Sequence, residues 1–264
     1  MPKRLAQNME DEVVRLYHDG FGTNTIAERI GVHRGTVQRC LKRQGVTLRK
    51  TSPYVHYDVH HFDHYTPSSC YWAGFIAADG YITPERASLV LHLSEKDAVH
   101  SRLFATTIGL PEDRVAIDKD GSCRLTVCGE WYVDQLLTNF HIGPNKTTRT
   151  IIPNLPQEML PHFVRGYFDG DGAVLPGSDV SCINFTSCSG QMLVGLQELF
   201  FELGVRLKSR NHVPPIQNGV QMSYSGKNAG LIVEWMYKES TPCLRLQRKY
   251  EKCLECFPWA FRQP

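Results

Sequence analysis

The chain has 264 residues, 42% of them hydrophobic, and a net charge of +2, which is room for one large domain or two to three small ones with an ordinary core. No run approaches the ~18 apolar residues of a membrane span, and the N-terminal MPKRLAQNMEDE lacks the apolar stretch of a signal peptide, so the expectation is an intracellular, cytoplasmic protein with no membrane partner. Nine cysteines, odd in number and irregular in spacing, predict reduced thiols rather than a disulfide framework.

The small net charge conceals an uneven distribution. Residues 1–50 carry ten Lys/Arg against five Asp/Glu, and from Gly31 to Lys50 six basic residues stand without an acid, a local field that favours phosphate. Helices are predicted over Asp11–His18, over Thr23–Ile30 with a Thr25/Glu28 capping box and a stop at Gly31, and from His33 through Arg43. Helix, glycine turn and basic helix read as a helix-turn-helix in a small all-α domain over residues 1–48, and the segment resembles that motif in resolvases. The third helix would offer His33, Arg34, Thr36, Gln38 and Arg39 to base edges in the major groove and Lys42 and Arg43 to phosphate. A solvated basic face on a trihelical bundle is the bland alternative.

Residues 49–69 contain Pro53, Pro67 and the polar aromatic string YVHYDVHHFDHY and read as a linker that follows the DNA surface. Its His56, His60, His61 and His64 are dense enough to consider a metal, although solvated histidines are the simpler account. Next comes Tyr71–Tyr81, YWAGFIAADGY, a helix with a strip of small residues, Gly74 and Ala78, on one face. Leu89, Leu91 and Leu93 then alternate with Ser88, Val90, His92 and Ser94, a strand with one apolar face. Ser94 is expected to cap a helix with Asp97 that runs to about Ile108. A hairpin follows, turning at Lys119–Ser122, and then a helix over Glu130–Phe140.

The second half repeats this plan. Phe163–Ala173, FVRGYFDGDGA, carries the small strip Gly166 and Gly170, and Asp171 lies 92 positions after Asp79. Ile183 and Phe185 stand the same distance after Leu91 and Leu93. A helix over Ser189–Leu203, a hairpin turning at Asn218-Gly219 and a helix over Gly230–Lys238 complete an αββαββα order in each half. The prediction is an α+β protein of two tandem pseudo-symmetric repeats, 70–152 and 153–264. Small residues four apart let two helix backbones approach closely, so the two strip-bearing helices should pack together, with Gly80 and Gly172 entering a left-handed conformation just past their ends. That brings Asp79 and Asp171 together at the negative ends of two helix dipoles, tolerable with a bound cation or a raised pKa.

The two runs Trp72–Gly80 and Val164–Gly172 resemble the nine-letter motif of the LAGLIDADG homing endonucleases, in the monomeric two-motif form, and the resemblance spans about 70–255. It implies that Asp79 and Asp171 bind the catalytic divalent ions, two or more Mg²⁺ with Mn²⁺ as substitute. Lys146 and Lys249 then match the positions where the family places a catalytic lysine in each half, the alternative being surface lysines. The motif's sixth position, usually acidic in the family without being the principal ligand, is Asp169 in one copy and Ala77 in the other. The implied activity is metal-dependent hydrolysis of both strands of duplex DNA at a long recognition site, with short 3′ overhangs that start intron or gene mobility. The chain ends lack the Cys/Ser start and His-Asn finish of an intein, so a free-standing or intron-encoded monomer is expected. The sheets would cover the DNA with residues such as Ser88, His92, Asn184 and Thr186, although alternation alone leaves open which face is exposed. Two other readings share the fold: a DNA-binding regulator without nuclease activity, disfavoured because both acids are present, and an RNA maturase, disfavoured by the DNA-type helix-turn-helix.

Overall fold

Residues 5–48, 57–85, 88–205, 215–216 and 219–262 are described by the computed structural model of the chain. Three helices come first: α1 (Gln7–His18), α2 (Thr23–Ile30) and α3 (Arg34–Arg43). Their inward residues, Val13, Leu16, Ile26, Val37 and Leu41 among them, build a small core of their own. Gly31 ends α2 at φ 72°, a left-handed position where glycine avoids the usual Cβ penalty. The expected Thr25/Glu28 capping box does not form, because the helix already begins at Thr23 and Thr25 lies inside its first turn. The N-cap of α3 is His33, whose Nδ1 accepts from the Gly35 N–H at 3.1 Å.

Two αββαββα repeats follow. The first comprises α4 (Pro67–Asp79), β1 (Gly80–Ile82), β2 (Ser88–Ser94), α5 (Ala98–Thr107), β3 (Ala116–Ile117), β4 (Ser122–Cys128) and α6 (Glu130–Phe140). The second comprises α7 (Leu160–Asp171), β5 (Gly172–Leu175), β6 (Cys182–Ser187), α8 (Gly190–Glu202), β7 (Pro215–Ile216), β8 (Gly219–Ser225) and α9 (Gly226–Tyr237), and is extended by α10 (Gln247–Cys256). Each repeat forms an antiparallel sheet, ordered β1-β2-β4-β3 and β5-β6-β8-β7. In both, the hydrophobic alternation points the same face inward: Leu89, Leu91 and Leu93 in one, Ile183 and Phe185 in the other. The repeats are not related by one constant offset. Gly80 pairs with Leu91 but Gly172 pairs with Phe185, so the second hairpin is two residues longer and keeps its parity, which leaves the buried face unchanged.

The seam between the repeats is the α4/α7 pair, and small residues set its closeness. A Cβ on Gly74 would overlap the Phe163 carbonyl, and one on Gly166 the Tyr71 carbonyl, so each glycine faces the other helix's backbone. A Cβ on Gly170 would overlap that of Ala78. Gly80 and Gly172 depart from expectation: both are extended, at φ −74° and −91°. The helix passes straight into a strand there, and the folded-back chain leaves no space for a Cβ beside Ile76 or Phe168.

The stretch expected as a linker is largely structural. Tyr57, Val59 and Phe62 are buried in the core of the repeats, Tyr57 Oη donates to the Cys128 carbonyl at 2.6 Å, and Phe62 packs edge-on to Tyr132 and Phe140. Aromatic burial replaces the aliphatic pattern that would have marked this segment. Its end, Thr66-Pro67-Ser68-Ser69, is a reciprocal cap that opens α4. Of the histidine cluster, His56 lies outside the described residues, as do Arg49, Lys50, Pro53 and the Asn218 turn position. His60 pairs with Asp63 at 2.6 Å. Among the described residues no three His, Cys, Asp or Glu side chains gather as a metal site. Ser94 caps nothing; a single 3₁₀ turn, Glu95–Asp97, precedes α5.

Replacing Gly166 by Ala is expected to lower stability by at least about 3 kcal/mol despite alanine's better helix propensity, because the methyl meets backbone that cannot turn away. Gly190, whose Cβ would meet nothing within 4 Å, is the control: Gly190→Ala should be neutral or up to about 1 kcal/mol stabilising. Urea unfolding of the two variants checks both.

Candidate functional site

Because α4 and α7 each end on their aspartate, the seam delivers Asp79 and Asp171 to one place. A Cβ on Gly170, next to Asp171, would lie 3.2 Å from Oδ2 of Asp79. Both carboxyls are part-buried and both titrate high. Burial, then the charge of Asp171, raises Asp79 to about 6, against the pull of Lys249 and Lys146. Burial raises Asp171 as well, opposed by the same two lysines and by a hydrogen bond from Tyr167.

Lys146 and Lys249 converge on this seam, and the surface-lysine reading falls. Lys146 Nζ donates to the carbonyls of Ala77 and Ala78, at 2.7 and 2.8 Å. Lys249 Nζ donates to those of Phe168, Gly170 and Gly172, at 2.8, 3.0 and 2.6 Å. Each ammonium sits at a helix C-terminus, on carbonyls such as those of Ala77, Ala78 and Gly170 that lie in the last turn, where positive charge is favoured. Burial nevertheless lowers both lysines, Lys249 to about 8.

Asp169 is 1% exposed and accepts three hydrogen bonds: from Tyr71 Oη at 2.7 Å, Tyr237 Oη at 3.0 Å and the Leu246 N–H at 2.7 Å. Tyr71 also meets His100 Nε2 at 2.9 Å. Arg165, fully buried nearby, donates to the carbonyls of Leu244 and Met236. The acid at this motif position therefore ties α7 to α4, α9 and the start of α10. Ala77 makes no such tie, so the asymmetry seen in the sequence is structural. A second tie crosses the repeats, where Arg248 pairs with Asp97 through two 2.7 Å bonds. Only the spatial fold brings these partners together, and no local spacing marks them.

The outer face of the first sheet follows from register. Ser88, Val90 and His92 on β2 lie opposite Cys128, Thr126 and Arg124 on β4, and Val90 lies opposite Tyr81 on β1. Tyr81, Arg124 and Thr126 are exposed on this face; cross-strand register puts them there, and no pattern within one strand marks it. His92 bonds Ser122 Oγ at 2.8 Å. In the second sheet Thr186 lies opposite Gln221 and is part-exposed. Asn184 is a correction: it is 4% exposed, and its Oδ1 has no partner among the described residues, so it presents no surface to a ligand as it stands. On α3, His33, Arg34, Arg39 and Lys42 are exposed and Thr36 and Gln38 partly so. Arg43 is committed elsewhere, forming an ion pair with the buried Glu10, which also accepts from Gln44 at 2.7 Å.

Residues 158–233 match the family of LAGLIDADG-like domains. That segment, within the second repeat, is a LAGLIDADG-like domain. The matched segment begins just before α7 and contains its motif, and the first repeat builds the same arrangement on Trp72–Gly80. Among solved structures, the chain is similar to the homing endonuclease I-WcaI bound to its DNA recognition sequence, at 14% identity and TM-score 0.46 over 76% of this chain and 95% of that one. It is also similar to I-LtrWI bound to target DNA, at 10% and 0.42 over 76% and 90%, and to the meganuclease I-CpaMI bound to uncleaved DNA, at 9% and 0.42 over 75% and 100%. No curated protein matches the sequence.

The raised Asp79 carboxyl has a definite signature. At the lowest pH both folded and unfolded chains hold the proton; above pH ~4 the unfolded chain ionises first, so stability falls as pH rises to about 6 and then levels. In metal-free buffer, melting temperatures between pH 4 and 7.5 should show this falling component, up to about 2–3 kcal/mol, and Asp79→Asn should remove it and melt higher than wild type at pH 7. Asp169→Ala, by contrast, should cost about 3–5 kcal/mol, by leaving buried donors without an acceptor.

Proposed function

We propose that this protein is a site-specific DNA endonuclease that hydrolyses both strands of a duplex, with divalent metal held by Asp79 and Asp171. The observation that carries the reading is the pair of carboxylates brought to one seam, both raised in pKa at two helix C-termini. Two acids placed against a negative dipole and against each other are costly without a cation. The donors there are hard oxygens, and no third protein carboxylate or imidazole joins them among the described residues. That set fits Mg²⁺ or Mn²⁺ with coordination left for water and phosphate.

A divalent ion held there would activate water and stabilise charge on the phosphate. The protein's own groups then have definite tasks. Asp79 and Asp171 hold the ion, one from each repeat, as suits two DNA strands related by twofold symmetry. Lys146 and Lys249 keep the positive charge of the seam high enough for both acids to ionise. The outer sheet faces, with Ser88, His92, Arg124 and Thr126 on one and Thr186 and Gln221 on the other, lie along the duplex. The exposed face of α3 adds base contacts through Arg34, Gln38 and Arg39 and a phosphate contact through Lys42, as a helix-turn-helix does. Because the repeats supply the twofold themselves, the chain acts as a monomer at a long site, and cleavage starts the mobility of its own gene or intron.

The test uses supercoiled plasmid carrying the gene's intron-less insertion locus, incubated with Mg²⁺. Linear product is expected, and Asp79→Asn or Asp171→Asn should slow its formation at least ~10³-fold while changing DNA affinity less than ~10-fold. Retarded but uncut DNA would favour a regulator instead, and accelerated splicing of a bound intron transcript would favour a maturase.

A further inference from the structure

Lys146 and Lys249 reach the same seam but are bonded differently. An ammonium carries three N–H donors. Lys249 spends all three, on the carbonyls of Phe168, Gly170 and Gly172, and is 6% exposed. Lys146 spends two, on Ala77 and Ala78. Among the described residues its third donor meets no acceptor, and the side chain is only partly buried.

Their supports differ as well. Lys249 lies in the first turn of α10, which is fixed on both sides: the Leu246 N–H donates to Asp169, and Arg248 is gripped by Asp97 of the other repeat. Lys146 lies in a single 3₁₀ turn, Lys146–Thr148, entered through Asn145 at φ 57°. Among the described residues no ion pair holds that turn. Backbone bonds do hold it, since the Lys146 carbonyl accepts from Arg149 and Thr150, so the difference lies in the ammonium groups: one is saturated, and the other keeps a donor.

We infer that the two lysines divide their roles: Lys249 is a positioning residue that pins the end of α7, and with it Asp171, whereas Lys146 presents an N–H to the phosphate of one DNA strand. The phosphate contact rests on the nuclease reading above; the pin does not. An ammonium with every donor taken by carbonyls has no proton left to direct at a ligand. Its removal takes a donor from three carbonyls at once, of which that of Phe168 keeps a second donor, the Gly172 N–H, and the motif end they belong to loses its anchor. Removal of Lys146 takes a donor from two carbonyls only, those of the buried Ala77 and the part-buried Ala78.

Four variants decide this: Lys249→Met, Lys249→Gln, Lys146→Met and Lys146→Arg. Each is melted without DNA and assayed on a target duplex labelled on both strands. Lys249→Met is expected to lower the melting temperature by about 5 °C or more, and Lys249→Gln, which keeps two donors, by about half as much. Both should slow the two strands by the same factor within about threefold, because the displaced α7 end belongs to a seam that the two acids share. Lys146→Met should shift melting by no more than ~2 °C and slow one strand at least ~10²-fold, leaving nicked product, and Lys146→Arg should restore that strand to within ~10-fold. Should Lys249→Met fail to fold, the Gln variant decides. Equal melting losses for Lys146→Met and Lys249→Met would overturn the division. So would mirror-image slowing, each variant affecting one strand by the same factor. A wild-type protein that cuts neither strand would sink the nuclease reading and with it the phosphate contact, while the melting comparison still decides the pin.

Discussion

The backbone-to-backbone approach of α4 and α7 is the constraint on which the rest of the structure depends. Gly74 faces the Phe163 carbonyl and Gly166 the Tyr71 carbonyl, so the helices approach as closely as backbones allow, and their last residues arrive together. Those residues are Asp79 and Asp171. Each already faces the negative end of its own helix, and each finds the other nearby. Close packing thus creates an electrostatic conflict. The molecule answers it with two lysines whose ammonium groups rest on the same helix ends, and the carboxyls still titrate high.

Duplication supplied the two halves, but buried polar chemistry has made them unequal. Asp169 draws Tyr71, Tyr237 and the Leu246 N–H onto one carboxylate, and Ala77 holds the matching position without any such network. Burying a carboxylate is tolerable only when its lone pairs are filled, and three donors fill them here. The result links the first repeat's motif helix, through the second, to the helix that carries Lys249. The Arg248–Asp97 pair crosses the same boundary, so α10 is held from both repeats.

Much of this was legible in the sequence, for reasons that can be named. The Gly/Ala strip, the period-two run Leu89–Leu91–Leu93 and the Gly31 stop all express local geometry, and each has one reading. Long-range partners have no such signature. Nothing near Arg43 announces Glu10 thirty-three residues earlier, and the burial of Asn184 depends on strands far away in the chain. The aromatic stretch around Tyr57 and Phe62 read as a linker because its hydrophobic signal is carried by rings separated by His and Asp. Gly80 and Gly172 were recognised as special for the wrong reason: crowding by Ile76 and Phe168 excludes a side chain, and the backbone itself is ordinary. The 92-residue spacing held for the acids and slipped by two in the strands, an even insertion that an apolar alternation cannot reveal.

The claim that two like charges are forced together at the helix seam is tested most directly by a double-mutant cycle on Asp79→Asn and Asp171→Asn. Unfolding free energies are measured for wild type, both single variants and the double variant in metal-free buffer at pH 7.5. Each single change should stabilise, and the double should stabilise by less than the sum of the two, short by about 1 kcal/mol or more, because the first substitution already relieves the repulsion. Additivity within about 0.3–0.5 kcal/mol would contradict the account, since it would mean that the two carboxylates do not interact across the seam.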